Sequence, residues 1–143
     1  MKKTELPFSE MIEKAIAMLK YSYAPYSNFF VGAALLCSDG KIYTGCNIEN
    51  AAFGPSNCAE RTAFFKAVSE GEKSFAAIAI VGGSKGKIES YCAPCGVCRQ
   101  VMAEFCNGDF KIITAKSADD YKIQTLDELL PDSFGGSEKI GQR

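Results

Sequence analysis

The chain has 143 residues, 47% of them hydrophobic and 23% charged, and this ordinary composition predicts a single globular domain over 1–143. Lys and Arg number 16 against 17 Asp and Glu, so the formal net charge is −1 and argues against a surface that follows a nucleic-acid backbone. The sequence contains neither an apolar run near the roughly 18 residues of a membrane helix nor an apolar signal region, so we expect a cytoplasmic protein that does not bind a membrane.

Apolar periodicity and turn residues predict helices that alternate with short strands. The helices are predicted at about 7–21, 58–68, 95–105 and 126–130. The strands are predicted at 29–37, 41–46, 75–81, 110–115 and 121–125, with Asp39-Gly40 as the turn between the first two. This alternation is typical of an α/β sandwich with a mixed sheet. The segment of about 135–143 is polar and rich in glycine, and we expect it to be a flexible tail.

Three cysteines and one glutamate fall at the starts of two predicted helices. Cys58 and Glu60 open one helix, and Cys95 and Cys98 open another, where a spacing of three residues places both thiols on one side. Soft sulfur ligands in this arrangement favour a tetrahedral zinc ion, and three protein ligands leave the fourth position open, as at a catalytic zinc. Glu60 then lies beside that position, where a metal-bound water needs a base. The sequence has no histidine, which removes the commonest alternative ligand and base.

The other cysteines leave two alternatives open. Cys92 could join the three thiols in a closed, four-thiolate structural zinc site. Ala93 precedes a proline, however, and its extended geometry favours a Cys92 side chain off the helix. Cys95 and Cys98 could instead form a thioredoxin-like redox pair, which gives Cys58 no role. Cysteines in apolar segments are most simply buried small hydrophobes, and these are Cys37, Cys46 and Cys106.

The charged neighbours of the cysteines have two interpretations each. Asn57-x-x-Glu60 matches a capping box, in which the carboxylate would stabilise the helix start. We favour a proton carrier at Glu60, because a water-activating metal requires one. Arg61 and Arg99 follow the thiol segments closely, so either could donate a hydrogen bond to sulfur and offset the charge of three thiolates. The alternative is that both are ordinary surface arginines.

Segments 58–60 and 94–100 resemble the zinc-dependent cytidine deaminase family, in particular its small homotetrameric branch with three cysteine ligands. The resemblance extends to the family's first strand at 26–35, its ribose-binding segment at 45–52 and its C-terminal signature at 129–134. It implies a three-layer α/β/α sandwich with a mixed five-stranded sheet. It also implies one Zn2+ per subunit and a homotetramer with its sites at subunit interfaces.

The resemblance implies a reaction as well. The family removes the 4-amino group of cytidine and 2'-deoxycytidine by hydrolysis, which gives uridine or 2'-deoxyuridine and ammonia in pyrimidine salvage. Zinc held by Cys58, Cys95 and Cys98 would bind water. Glu60 would carry its proton to ring N3 and would then help to deliver a proton to the leaving ammonia. The backbone N–H of Ala59 would donate to the pyrimidine carbonyl oxygen.

Four further residues match substrate contacts of that family. Asn47 and Glu49 match the residues that hold the ribose hydroxyls, and, being two apart in an extended chain, they face the same way. Phe29 matches the aromatic residue that packs on the base or the sugar. Phe134 matches a residue that reaches a neighbouring subunit's site. Without the resemblance, these would be two polar residues leaving a strand, a core phenylalanine and a terminal anchor.

Two other functions compete with nucleoside deamination. A polynucleotide or nucleotide deaminase of the same superfamily is opposed by the charge balance, since no cluster of Lys and Arg follows a phosphate backbone. A structural zinc module would use Cys92 as the fourth ligand and would bind zinc without releasing ammonia. We therefore favour an enzyme with a small nucleoside substrate and no nucleic-acid partner.

Overall fold

The computed structural model of the chain describes residues 6–136. The helices are α1 Phe8–Ala17, α2 Ala59–Ser69, α3 Gly96–Phe105 and α4 Leu126–Leu129, with a 3-10 helical turn at Leu19–Tyr21. The strands are β1 Phe29–Cys37, β2 Ile42–Cys46, β3 Phe75–Ser84, β4 Lys111–Ser117 and β5 Asp120–Thr125. No helix within residues 6–136 combines the length and the apolar character that crossing a bilayer requires.

The five strands form one sheet in the order β2-β1-β3-β4-β5. β3 and β4 run parallel and the other neighbouring pairs run antiparallel, so the sheet is mixed. Successive strand residues point to opposite faces. Leu35 and Ile80 thus belong to a core shared with α2 and α3, whereas Leu36 and Ala79 belong to a core shared with α1. Helices cover both faces, and the predicted three-layer α/β/α sandwich with five strands is confirmed.

The start of α2 is held tightly against the sheet. A Cβ at Gly45 of β2 would clash with the backbone of Ala59 and Ala63, so glycine permits this close approach. Further along α2, the ring of Phe64 is fully buried and contacts other aromatic rings at centroid distances of 5.0 to 6.3 Å. Its partners are Phe75, Phe105 and Phe110. Truncating a buried phenylalanine costs about 3–5 kcal/mol, so this cluster anchors the helix whose start carries Cys58.

Two element ends differ from the predictions. β3 continues through Gly82 and Gly83 to Ser84 instead of ending at 81. Gly82 pairs with Val31 across the sheet, and a Cβ there would lie only 3.0 Å from the Cys92 sulfur. These glycines therefore serve close packing within a strand, not a turn. The first helix ends at Ala17, and a 3-10 turn follows over residues that were predicted to be helical.

Two further placements concern α3 and the end of the described chain. Apolar periodicity favours Val97 on the apolar side of α3, but its side chain is 57% exposed. Gly135, at the start of the expected tail, is buried against Ala103, and the backbone N–H of Gly136 donates to the Glu104 carboxylate at 3.1 Å. The rest of the expected tail, 137–143, lies outside the described residues.

Candidate active site

A cavity of about 490 Å3 opens at the starts of α2 and α3 and beside the segment that follows β2. Its polar and charged lining consists of Asn47, Glu49, Ser56, Asn57, Glu60 and Arg61. Three cysteines contribute to its wall, namely Cys58, Cys92 and Cys95. This one cavity is therefore lined by residues from distant parts of the sequence. They are the residues predicted to bind metal, to carry protons and to contact the sugar.

The three predicted zinc ligands lie together at two helix starts. Cys58 and Cys95 are the N-caps of α2 and α3, and Cys98 follows in the first turn of α3. The Sγ atoms are 3.6 Å apart for Cys58 and Cys95 and 3.4 Å apart for Cys95 and Cys98, and all three lie within 4.8 Å of one another. Two sulfurs on a tetrahedral zinc, each at about 2.3 Å, are roughly 3.8 Å apart. This thiol trio therefore fits a zinc ion.

Cys92 does not belong to the thiol trio. Among the described residues, the close group of ligand atoms at this place contains Cys58, Cys95 and Cys98 alone. Burial, with the negative charge of Glu60 next in importance, raises the pKa of Cys92 to about 12. The closed four-thiolate site, left open by the sequence, does not match this geometry.

The thiol trio is polarised by its own hydrogen bonds. The pKa of Cys58 is lowered to about 5, because the Cys98 thiol and then the Arg61 guanidinium donate hydrogen bonds that stabilise its thiolate. The same hydrogen bond raises the pKa of Cys98, which keeps its proton as the donor. The N-terminus of α2 adds a partial positive charge at Cys58. These interactions favour the thiolate form of Cys58.

Glu60 is a buried carboxyl group in the second position of α2. It is only 4% exposed, and burial raises its pKa to about 7. A cation held by the neighbouring thiolates would lower this pKa. The capping-box alternative is wrong, because the N-cap of α2 is Cys58 and its start has no side-chain cap bond. The Asn57 amide instead donates to the Thr62 hydroxyl at 3.2 Å. The side chain of Glu60 therefore does not complete a capping box at this helix start.

The two arginines have different partners. Arg61 Nη2 donates to the Cys58 sulfur at 3.3 Å, as expected for a residue that offsets thiolate charge. Arg99 corrects the expectation. Its Nε donates to the carbonyl oxygen of Pro94 at 2.8 Å and its Nη1 to that of Leu129 at 2.7 Å. Arg99 therefore reaches the thiols only through the backbone next to Cys95.

Asn47 lines the cavity and also ties the segment after β2 to β1. Its Nδ2 donates to the carbonyl oxygen of Phe29 at 2.7 Å, and its Oδ1 accepts from the N–H of Val31 at 2.9 Å. The amide is held in one orientation by these two bonds. One N–H hydrogen of the amide group remains for a further acceptor.

Glu49 lines the same cavity, as its spacing from Asn47 predicts. Its carboxylate accepts hydrogen bonds from the backbone N–H groups of Tyr26 at 3.0 Å and Ser27 at 3.1 Å, and also from the Ser27 hydroxyl. The Ser27 hydroxyl bond is the main reason that the pKa of Glu49 is lowered. Glu49 is therefore an ionised acceptor that the turn at 26–27 positions.

The two phenylalanines lie apart from the cavity lining. Phe29 is 41% exposed, and the edge of its ring lies beside Gly82, outside the set of lining residues. Phe134 is 51% exposed, and its carbonyl oxygen accepts from Gln100 Nε2 at 2.8 Å. This subunit thus does not bring either ring into its own cavity, and their substrate roles stay predictions.

The sequence analysis assigned no site role to several lining residues. Val31, Asn57 and Val97 line the cavity, and so does Phe53 on the loop after β2. Asn57 stands next to Cys58 in the sequence, which is a signal that could have placed it here. Val97 lies between two ligands, and its exposed side chain faces the cavity because Cys98 takes the buried side of α3.

Comparisons with known proteins agree with this fold and site. The family model of the cytidine and deoxycytidylate deaminase zinc-binding region matches residues 8–114. A cytidine deaminase of Sporosarcina psychrophila is 52% identical over 127 residues, which cover 86% of this chain and 90% of the relative. A cytidine deaminase of Halalkalibacterium halodurans is 49% identical over 124 residues, which cover 87% and 91%. The crystal structure of cytidine deaminase from Burkholderia pseudomallei has a TM-score of 0.79 at 46% identity, covering 87% of this chain and 97% of that one.

An α/β/α sandwich that presents three thiols and a buried carboxyl group at two helix starts has the site of a zinc-dependent hydrolase. The family match and the relatives identify the family. The chain belongs to the zinc-dependent cytidine deaminase family.

Proposed function

We propose that this protein hydrolyses cytidine and 2'-deoxycytidine to uridine and 2'-deoxyuridine with release of ammonia, a step of pyrimidine salvage. One observation carries the proposal. Two thiols of the trio and the buried carboxyl group of Glu60 line the same cavity as Asn47 and Glu49. Groups for chemistry and groups suited to sugar hydroxyls therefore border one space for a small molecule. One Zn2+ per subunit, held by Cys58, Cys95 and Cys98, belongs to the proposal.

Glu60 moves the protons in this proposal. Zinc bound by the three thiolates supplies the Lewis acidity that makes water a nucleophile near neutral pH. Glu60 accepts a proton from the attacking water and delivers it to ring N3, while the water oxygen adds to C4. Glu60 then takes the second proton from the new C4 hydroxyl group and passes it to the amino nitrogen, and the C4–N4 bond breaks to leave a C4 carbonyl group and ammonia. The burial of Glu60 suits this role, because a carboxyl group shielded from bulk solvent does not lose the proton to it.

Backbone and side-chain groups hold the substrate. Ala59 is the first residue of α2 and lines the cavity, so its N–H is one of the donors that a helix start leaves without an intrahelical acceptor. It donates to the pyrimidine carbonyl oxygen. Asn47 and Glu49 bind the sugar hydroxyls, Asn47 with its remaining amide hydrogen and Glu49 with its carboxylate oxygens. Phe29 packs on the base or the sugar in this proposal.

The charges around the cavity favour a nucleoside over a nucleotide. Glu49 carries a negative charge at the proposed sugar end, where a 5'-phosphate would be repelled. Arg61 is the cationic side chain among the lining residues, and it already donates a hydrogen bond to the Cys58 sulfur. No described lining residue therefore offers a free cation to a phosphate.

The assembly and location extend the proposal. A homotetramer would cover large apolar side chains that this subunit exposes, including Phe53, Phe65 and Val97. In such an assembly Phe134 reaches the site of a neighbouring subunit. A cytoplasmic location agrees with seven cysteines that are all free thiols.

An ammonia-release assay tests the proposed function. Purified protein is mixed with cytidine, 2'-deoxycytidine, adenosine and CMP, with and without a strong chelator. We expect ammonia from the first two compounds, little from CMP and none from adenosine, and a loss of activity with the chelator that zinc restores. Release of ammonia from CMP at the cytidine rate would contradict the nucleoside assignment. Zinc-loaded protein that is inactive on all four compounds would contradict deamination itself.

A further inference from the structure

The segment 88–94 joins β3 to α3 and forms one wall of the cavity. Cys92 and Ala93 line the cavity, and Pro94 leads directly into Cys95 of the thiol trio. Within residues 6–136, the stretch 88–93 makes one hydrogen bond, from the Tyr91 hydroxyl to Asp120 Oδ1 at 2.5 Å. A segment with so few bonds opens easily unless a strong contact holds it.

Tyr91 is held by three residues of the β4–β5 hairpin, an arrangement that we call the Tyr91 clamp. Besides the bond to Asp120, the ammonium group of Lys116 lies 4.8 Å from the centroid of the Tyr91 ring and that of Lys122 lies 5.3 Å from it. Both distances suit cation–π attraction, and a carboxylate acceptor makes the hydrogen bond charge-assisted. The Asp120 bond also raises the pKa of Tyr91, so the hydroxyl keeps the proton that it donates.

The hairpin is a firm base for the clamp. β4 pairs with β3 on one side and with β5 on the other, and its Thr114 is 1% exposed. Asp120 and Lys122 are two residues apart on β5 and thus lie on the same face of the strand. The clamp therefore joins the segment 88–94 to the sheet.

The inner side of the segment is fitted to the cavity. The Cys92 sulfur lies where Gly82 has no side chain, 3.0 Å from the position of a Cβ there. At the end of the segment, Arg99 Nε holds the Pro94 carbonyl oxygen at 2.8 Å. The clamp and Arg99 thus bracket the two residues, Cys92 and Ala93, that form the wall.

We propose that Tyr91 is a positioning residue for the deamination reaction: by attachment to the β4–β5 hairpin, it sets where Cys92 and Ala93 form the cavity wall and how Cys95 enters the thiol trio. Tyr91 is not among the residues that line the cavity, so it acts through its neighbours. The kinetic consequence rests on the proposed function, whereas the consequence for the segment itself does not.

The first test measures how fast a thiol reagent labels Cys92 in metal-free protein, with the labelled site resolved by mass spectrometry. Tyr91→Ala is compared with wild type and with Tyr121→Ala, a matched control because both tyrosines are 37% exposed and Tyr121 lies on the same hairpin but contacts Phe8. We expect Cys92 to be labelled roughly tenfold faster in Tyr91→Ala, the factor that follows from losing one hydrogen bond to a charged group. Equal labelling of Cys92 in all three proteins overturns the proposal.

The second test measures kinetics and zinc release. For Tyr91→Ala we expect zinc to dissociate faster and kcat/KM for cytidine to fall by about 10- to 100-fold, the range for outer partners of metal sites, while Tyr121→Ala stays near wild type. If kcat/KM falls equally in Tyr91→Ala and Tyr121→Ala, and in proportion to the fall in melting temperature, the effect is one of general stability and the proposal is overturned. If wild type releases no ammonia from cytidine, the proposed function fails, and Cys92 labelling and zinc release still decide whether the clamp holds the segment.

A third test isolates the hydrogen bond without removing the ring. Tyr91→Phe keeps the ring beside the two lysines, and Asp120→Ala keeps the tyrosine. We expect each to raise the labelling rate of Cys92 by a smaller factor than Tyr91→Ala. The double variant should equal either single one, because both remove the same bond. If the effects of the two substitutions add in the double variant, Tyr91 and Asp120 do not act through one shared bond, and the clamp is overturned.

Discussion

Two sets of cavity residues, which we call the metal end and the sugar end after their proposed roles, are held in place differently. At the metal end, Cys98 and Glu60 are 1% and 4% exposed and are carried by helices packed on the sheet. At the sugar end, Asn47 and Glu49 follow β2 on an irregular segment, next to Phe53, which is 71% exposed. The metal end owes its geometry to the core, whereas the sugar end owes it to hydrogen bonds with β1 and the turn at 26–27. Substitutions at the first end should therefore abolish chemistry, and those at the second should weaken binding.

Loss of a zinc ligand gives the largest expected effect at the metal end. Cys98→Ser should lose zinc and with it all measurable ammonia release, because two thiolates hold the ion less well than three. Cys92→Ser is the matched control, since Cys92 is a nearby thiol outside the trio, and it should retain zinc. Metal content by atomic absorption, measured beside circular dichroism, checks both variants. Zinc loss from Cys92→Ser with zinc kept in Cys98→Ser would reverse the ligand assignment.

Removing the proton carrier comes next. Glu60→Gln should lower kcat by about 10²–10⁴-fold, the usual contribution of general acid–base catalysis, while zinc and fold are retained. The melting temperature should not fall, because the variant removes a buried ionisable group that burial disfavours when charged. Glu70→Gln, at the other end of α2, controls for charge loss. Activity of Glu60→Gln within a few-fold of wild type would leave Glu60 without its proposed role.

At the sugar end the effect should be smaller and should depend on the substrate. Glu49→Gln should lower kcat/KM for cytidine by roughly 10- to 100-fold, the scale of one hydrogen bond to a charged group, mainly through KM. With 2',3'-dideoxycytidine, which lacks the two hydroxyls, wild type and variant should converge. Steady-state kinetics on both substrates measures this difference. An equal loss on both would show that Glu49 supports the fold of the segment and does not bind the sugar.

The smallest effect concerns the pKa of Glu49. Because the Ser27 hydroxyl is the main cause of its lowering, Ser27→Ala should move this pKa up towards its ordinary value. A lowered carboxyl pKa contributes stability above the unfolded-state pKa, and this is lost as the pH falls through the folded-state pKa. Ser27→Ala should therefore reduce the acid sensitivity that arises at this turn. Carboxyl NMR titration measures the shift, and Ser38→Ala, at the distant Ser74 contact, should leave it unchanged.

Local patterns in the sequence determined most of the secondary structure and the thiol trio. Apolar periodicity depends on neighbouring residues alone, so the helices and strands were predicted within a few residues, apart from the early end of the first helix and the extension of β3. The spacing of Cys95 and Cys98 in a helix start brings their sulfurs to 3.4 Å by local geometry. The placement of Cys58 beside them required the resemblance or the fold, since it comes from a different helix.

Tertiary structure alone decided which partner each polar group takes. Arg61 and Arg99 have similar local contexts, yet one bonds to sulfur and the other to two carbonyl oxygens, because α4 brings the Leu129 carbonyl to Arg99. Glu60 could have capped its helix or been buried, and the packing of α2 on the sheet buried it. Burial, hydrogen-bond partners and the Tyr91 clamp all depend on residues that are distant in the sequence, and no local pattern encodes which of them will meet.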